Sequence, residues 1–339
     1  MTVWQPSFGP VTAPDADASR RAAGRLREVV GVDADAGRLG DLACWWAGVR
    51  GCCPAPAPVR IRAVLLGMYS DTGADVAPAL PGLDAAGAVS LAVAGASSVR
   101  VVASQSAGST SPDPDRAAPV LSGQRLADAE VDAGADLLVV AASPADRRLG
   151  DAAATLVAAL LDREPVDVVG TQLRGGRFDD PRWMTEVAAV REGLRAVRRT
   201  ASSFDATAVL AAVDAPGLAV LAGLVGQAAA RRTPVLLDGA VACAAGLIAV
   251  RWQPAVSGWL CAGSRPSTPA GRLALDAVEV TPVVDLGLRL EGAAGALLVV
   301  PLLRAAVELL GDEWAGDRGT ADQAAGGLQR AEDRVDGAT

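Results

Sequence analysis

The segment Arg231–Gly239, RRTPVLLDG, carries the side chains best placed to meet a ligand. A helical stretch ends at paired arginines, an apolar run follows, and Asp238-Gly239 closes it. The carboxyl end of a strand is where open α/β sheets bind ligands. Asp238 in that place suits a structural turn as well as a ligand contact. Chemistry must be done without the commonest catalytic bases, because the chain has no His and no Lys. Imidazole catalysis, His-ligated metals, lysine Schiff bases and lysine-type phosphate loops are therefore excluded, as are Ser–His–Asp and Cys–His triads. Cys44, Cys52, Cys53, Cys243 and Cys261 fit no zinc spacing. The vicinal pair Cys52–Cys53 is a redox candidate, set against reduced thiols in or near a core. No metal site and no cofactor is expected.

Short runs with little alternation predict buried strands at Ala63–Leu66, Val99–Ala103, Leu137–Ala141, Val166–Val169 and Val235–Leu237. Helical spacing predicts helices at Ala85–Ala94, Gly123–Ala133, Asp151–Leu161, Trp183–Val197, Leu218–Arg232 and Ala240–Val250. Strand followed by helix, repeated, argues for an α/β fold: a doubly wound, mostly parallel sheet with helices on both faces. Two more helices are expected at Asp15–Val29 and Leu39–Trp46, before a Pro-rich spacer at Cys53–Pro58. Ser104–Pro119 reads as an irregular loop and Asp317–Thr339 as a disordered tail. The expected divisions are an N-terminal helical part at 1–58, an α/β core at 59–285, a C-terminal helical part at 286–316 that joins the N-terminal one, and the tail at 317–339.

Apolar residues make up 51% of the 339-residue chain and aromatics only 3%, so Ala, Val, Leu and Gly must fill the core. Trp45, Trp46, Trp252 and Trp259 read most simply as packing residues, with base stacking as the other possibility. The net charge of −8 disfavours nucleic acid as a partner. No apolar run reaches the roughly 18–20 residues of a membrane span. Met1–Pro14 lacks the basic start and apolar run of a signal peptide. A cytoplasmic protein is expected.

Several ordered segments resemble one family. Arg289-Leu290-Glu291-Gly292-Ala293-Ala294-Gly295-Ala296, preceded by PVVDLGL, is similar to the RLGEGxGA signature of the nicotinate-nucleotide–dimethylbenzimidazole phosphoribosyltransferase family. Thr12–Ala18 looks like that family's opening helix start. Gly37–Leu42 is similar to its GxLExL segment, and Tyr69-Ser70-Asp71-Thr72-Gly73 sits where it has GDHG. VDAGADLL (131–138), EPVDVVG (164–170) and Phe178-Asp179-Asp180 continue the series. The resemblance covers most of residues 7–310. It implies transfer of ribose phosphate from nicotinate mononucleotide to a benzimidazole-type base, with a glutamate as general base and no metal. It also implies a dimer. By that resemblance the substrate-binding candidates are Asp71, Gly73, Asp238, Gly239, Gly292 and Gly295.

The departures from the family pattern fall on the chemistry. Aligned without a gap, the family's catalytic glutamate falls at Gly292, and Glu291 lies one residue early. Glu291 is the candidate base, with a solvated or capping carboxylate ahead of a helix from Gly295 as the other reading. Thr72 replaces a histidine. The family's lysine falls at Glu186, an anion where a phosphate needs a cation. Its HxSxExG motif falls at Ser264–Ala270, SRPSTPA, and its GxGNTT loop at Ser143–Asp151, SPADRRLGD. Arg147, Arg148 and Arg174 are candidate replacement phosphate ligands, against the reading that they are surface arginines. Two functions stay open: an active transferase, as a homodimer, or an inactive paralogue that partners an active homologue.

Overall fold

The computed structural model describes residues 6–31, 36–67, 98–103, 117–143, 146–171, 173–174, 177–201, 203, 205–289 and 292–311, without the side chains of 98–103 and 173–174. The expected helix at Ala85–Ala94, most of the loop at Ser104–Pro119 and the tail lie outside these residues. Asp71, Gly73 and Glu291 lie outside them too.

Among the described residues eight strands are β1 (Ile61–Gly67), β2 (Ser98–Ala103), β3 (Leu137–Ala142), β4 (Leu173–Arg174), β5 (Arg177–Phe178), β6 (Val235–Leu237), β7 (Leu260–Ser264) and β8 (Pro282–Val284). Six of them form one sheet in the order β2-β1-β3-β6-β7-β8. Every pairing in it is parallel, from Val64 beside Val140 to Leu237 beside Ala262. This is the expected doubly wound α/β architecture. The order reverses between β1 and β3, the crevice where such sheets place ligands. β4 and β5 form a separate antiparallel pair.

The helices are α1 (Ala16–Val30), α2 (Gly37–Arg50), α3 (Ala118–Asp132), α4 (Arg147–Leu161), α5 (Pro165–Val168), α6 (Asp180–Thr200), α7 (Ala206–Val213), α8 (Pro216–Ala230), α9 (Gly239–Trp252), α10 (Pro269–Ala277) and α11 (Ala294–Glu308). Local chemistry sets their starts. Asp15 accepts from the amides of Asp17 and Ala18 to open α1, and Asp205 does the same for Thr207 and Ala208 at α7. Pro216 stands in the first turn of α8, where its missing N–H is no loss.

The expected strand at Val166–Val169 is a correction: α5 is a short helix there. Pro165 occupies its first turn, and Glu164 and Asp167 close a capping box around it. Four strands were not anticipated, β4, β5, β7 and β8. The helix α3 begins at Ala118, inside the stretch read as loop.

The described chain separates into two compact units, Met1–Ala13 with Pro58–Pro301, and Pro14–Ala57 with Leu302–Thr339. In the first, β3 and β6 are buried Leu, Val and Ala, and α8 and α9 are apolar almost all round. Arg62 of β1 pairs with the fully buried Glu130 of α3. The helices α3 and α8 cross at glycine. A Cβ on Gly123 would strike the main chain of Val220 and Leu224, and one on Gly223 the main chain of Val120. In the second unit, Arg25 of α1 donates to the carbonyls of Leu310 and Gly311 at 2.7 and 3.1 Å, and the Trp46 indole donates to Pro56 O at 2.9 Å.

Candidate active site at the carboxyl edge of the sheet

Ser143 and Asp238 directly follow β3 and β6, Ser264 closes β7, and all three are buried. The Asp238 amide extends the ladder by donating to Val140 O at 3.0 Å. Its side chain sits at the start of α9, and the next residue takes a left-handed turn, Gly239 φ 78°. Glycine adopts that turn without strain, which places the main chain of Gly239 against whatever occupies the edge. The Ser264 hydroxyl donates to Asp238 Oδ1 at 3.4 Å. The Cys243 thiol, one turn into α9, is fully buried, and burial first and Asp238 second push its pKa up.

The segment after Glu291 returns to the same edge. Gly292 and Ala293 are both left-handed, with φ 85° and 76°, and α11 starts at once. Gly295 in its first turn faces Asp238 and Ser264 so closely that no Cβ fits. The structure thus brings Gly295 against Asp238, with Gly239 next to Asp238 and Gly292 three residues before Gly295 in the chain. It adds Ser264, which sequence reading had set aside as the remnant of a lost motif. A serine closing an apolar strand, aligned beside Asp-Gly, was the available signal.

The three arginines divide. Arg147 and Arg148 open α4 as exposed residues, and Arg174 lies in the β4–β5 hairpin opposite Arg177. Arg147 acts on Asp151, a half-buried residue one turn into α4. Burial and the Glu186 carboxylate push the Asp151 pKa up to about 6, against the pull of Arg147 and Arg182. Arg182 Nε holds Glu186 Oε1 at 3.0 Å. Two carboxylates therefore face each other between α4 and α6, next to the segment expected to take phosphate. Sequence reading noted Glu186 but not its partner.

Trp252 donates to Thr207 Oγ1 at 2.9 Å and Trp259 to Thr12 O at 2.8 Å, so both indoles are engaged within the fold. None of the five cysteines is in a disulfide. Among the described residues no group of His, Cys, Asp and Glu could hold a metal ion, and no helix is long and apolar enough to cross a membrane. A groove of about 380 Å³ runs along α10, lined by Arg163, Asp167, Arg265, Arg272 and Asp276 among others. Asp285 engages Arg265 there, and the carbonyls of Pro266 and Ser267 engage Arg272.

A parallel sheet with a glycine-rich edge and a buried aspartate defines a class. Residues 113–315 match the sequence profile of a family described as phosphoribosyltransferase. The nicotinate-nucleotide–dimethylbenzimidazole phosphoribosyltransferase of Mycobacterium ulcerans (strain Agy99) is 38% identical over 89% of this chain and 92% of its own length. That of Mycobacterium tuberculosis (strain ATCC 25618 / H37Rv) is 36% identical over 89% and 91%. The crystal structure of the enzyme of that name from Thermus thermophilus superposes with a TM-score of 0.70 at 26% identity, covering 87% of this chain and 96% of that one. The chain belongs to the nicotinate-nucleotide–dimethylbenzimidazole phosphoribosyltransferase family.

Proposed function

We propose that the chain transfers ribose phosphate from nicotinate mononucleotide to a benzimidazole-type base in cobalamin nucleotide-loop assembly, and does so in the cytoplasm. The observation that carries this reading is the convergence of Asp238, Ser264 and Gly295 on one strand edge in a chain of this family. A nitrogen of the acceptor attacks C1′ of the ribose. The bond from C1′ to the nicotinate nitrogen breaks, and its electron pair leaves with nicotinate. The acceptor's N–H proton passes to a carboxylate, for which Glu291 is the candidate. Gly239 and Gly292 let the main chain approach the nucleotide, and Asp238 is suited to accept from a ribose hydroxyl. Asp71 and Gly73 complete the proposed set.

The reading makes this a divergent member, with an altered phosphate cradle. A second reading, an inactive paralogue that pairs with an active homologue, draws support from one observation. Asp151 and Glu186 repel each other between α4 and α6, and Glu186 stands where the family pattern has a lysine. Calorimetric titration with nicotinate mononucleotide, then a nicotinate-release assay with dimethylbenzimidazole, separates the two. Release that falls about a hundredfold or more in Glu291→Gln supports the transferase and its base. No binding at millimolar ligand and no release refute it and favour the partner reading. Mass measurement in solution distinguishes a homodimer from a chain that waits for its homologue.

A further inference from the structure

Three segments from distant parts of the sequence meet at the carboxyl edge, with two small polar side chains between the strands and Gly295. Ser264 closes β7, and its hydroxyl donates to Oδ1 of Asp238, at the end of β6. Gly295 rests on this pair. A methyl group there would lie 2.6 Å from Asp238 Oδ1 and 2.9 Å from Ser264 Cβ, and closer still to the Ser264 hydroxyl. One residue back along β7, a Cβ on Gly263 would lie 2.9 Å from the Ala296 amide nitrogen. The first turn of α11 is thus seated on a ledge made by two polar side chains. Ala293, Ala294 and Ala296 are fully buried, and Ser264 and Asp238 are nearly so.

The ledge has something to hold. Gly292 and Ala293 are left-handed in succession, at φ 85° and 76°. An alanine in that region costs about 1–2 kcal/mol and persists only when its surroundings fix it. Ala293 O accepts from the Leu297 amide at 2.9 Å, and Gly295, two residues on, packs against Ser264 and Asp238. Loss of the Ser264 hydroxyl would remove one restraint on the Asp238 carboxylate and open a gap beneath the helix.

We propose that Ser264 is a positioning residue of the transfer reaction. By bonding Asp238 it forms the ledge that seats Gly295, and so fixes the left-handed turn that directly follows Glu291 in sequence. This rests on the reading of Glu291 as the base. A hydroxyl suits the place because Gly295 leaves room for one oxygen, and because a donor is needed to orient a carboxylate.

The test uses the full chain with Ser264→Ala and Ser264→Thr, read by amide hydrogen exchange and by nicotinate-release kinetics. In Ser264→Ala, exchange at residues 294–297 rises at least about fivefold while that of α8 stays as in wild type. Its kcat falls about tenfold to a hundredfold with KM within about twofold, as expected for a misplaced reacting group. Ser264→Thr keeps the donor but adds a methyl group to a tight site, and restores both in part. Unchanged exchange in Ser264→Ala overturns the proposal, as does faster exchange with an unchanged kcat. A wild-type chain that releases no nicotinate refutes the transferase reading by itself, and the exchange measurement still decides whether Ser264 fixes the turn.

Discussion

Replacing Asp151 by Asn tests the electrostatics between α4 and α6. The folded-state pKa of Asp151 is raised from an ordinary 3.8 to about 6, by burial first and the Glu186 carboxylate second. The neutral acid is therefore favoured by the fold. Its stabilising contribution is complete below pH about 4 and is lost as pH rises through about 6. Each tenfold change in proton affinity is worth 1.36 kcal/mol, so a fully buried group with this shift would forfeit about 3 kcal/mol. Asp151 is half exposed and solvent screens it, which brings the expected effect to roughly 1–1.5 kcal/mol. Asn cannot ionise. The stability of Asp151→Asn relative to wild type should thus grow by roughly 1–1.5 kcal/mol between pH 4 and pH 8. Urea unfolding at a series of pH values measures that difference directly. Glu186→Gln should lower the Asp151 pKa, visible in the pH titration of its carboxyl carbon by NMR. A stability difference constant to within about 0.3 kcal/mol across the range would refute the reasoning.

Two further outcomes follow from packing. Arg62→Met removes an ion-pair partner of the fully buried Glu130 and should destabilise the chain by about 1–3 kcal/mol in urea unfolding, with much of the loss recovered by adding Glu130→Gln. Gly263→Ala drives a methyl group into the main chain of Ala296 and should cost about 2 kcal/mol or more, read as a lowered thermal midpoint.

The elements that were legible in the sequence share a cause. Leu137–Ala142 and Val235–Leu237 are apolar at every position because parallel strands are covered on both faces, and that leaves an unbroken run. β7 was hidden by the same geometry. It reads Leu-Cys-Ala-Gly-Ser, with Gly263 pressed against Ala296, and the close approach excludes the β-branched residues that announce a strand. The stretch after Glu164 misled in the other direction. Val166, Val168 and Val169 suggest a strand, but Pro165 and the capping box turn the chain into a helix. At the site, Asp238 could be found because an Asp-Gly after an apolar run has a local meaning. Asp151 and Glu186 could not be paired, because their meeting depends on how α4 lies against α6. Ser264 was visible only as a departure from a family motif. Its bond to Asp238 required the register of β6 and β7.

Where α3 crosses α8, Gly123 and Gly223 let two main chains touch with nothing between. Every other amino acid carries more atoms than glycine, so drift at these positions can only add volume and pry the helices apart. The alanines around the crossing can exchange with residues of similar size and be compensated by a neighbour. Gly123 and Gly223 have no such route, since main-chain atoms cannot be trimmed to make room. The crossing therefore acts as a ratchet on the chain's history: once helices have closed to this distance, the sequence can no longer wander back through intermediates that still fold.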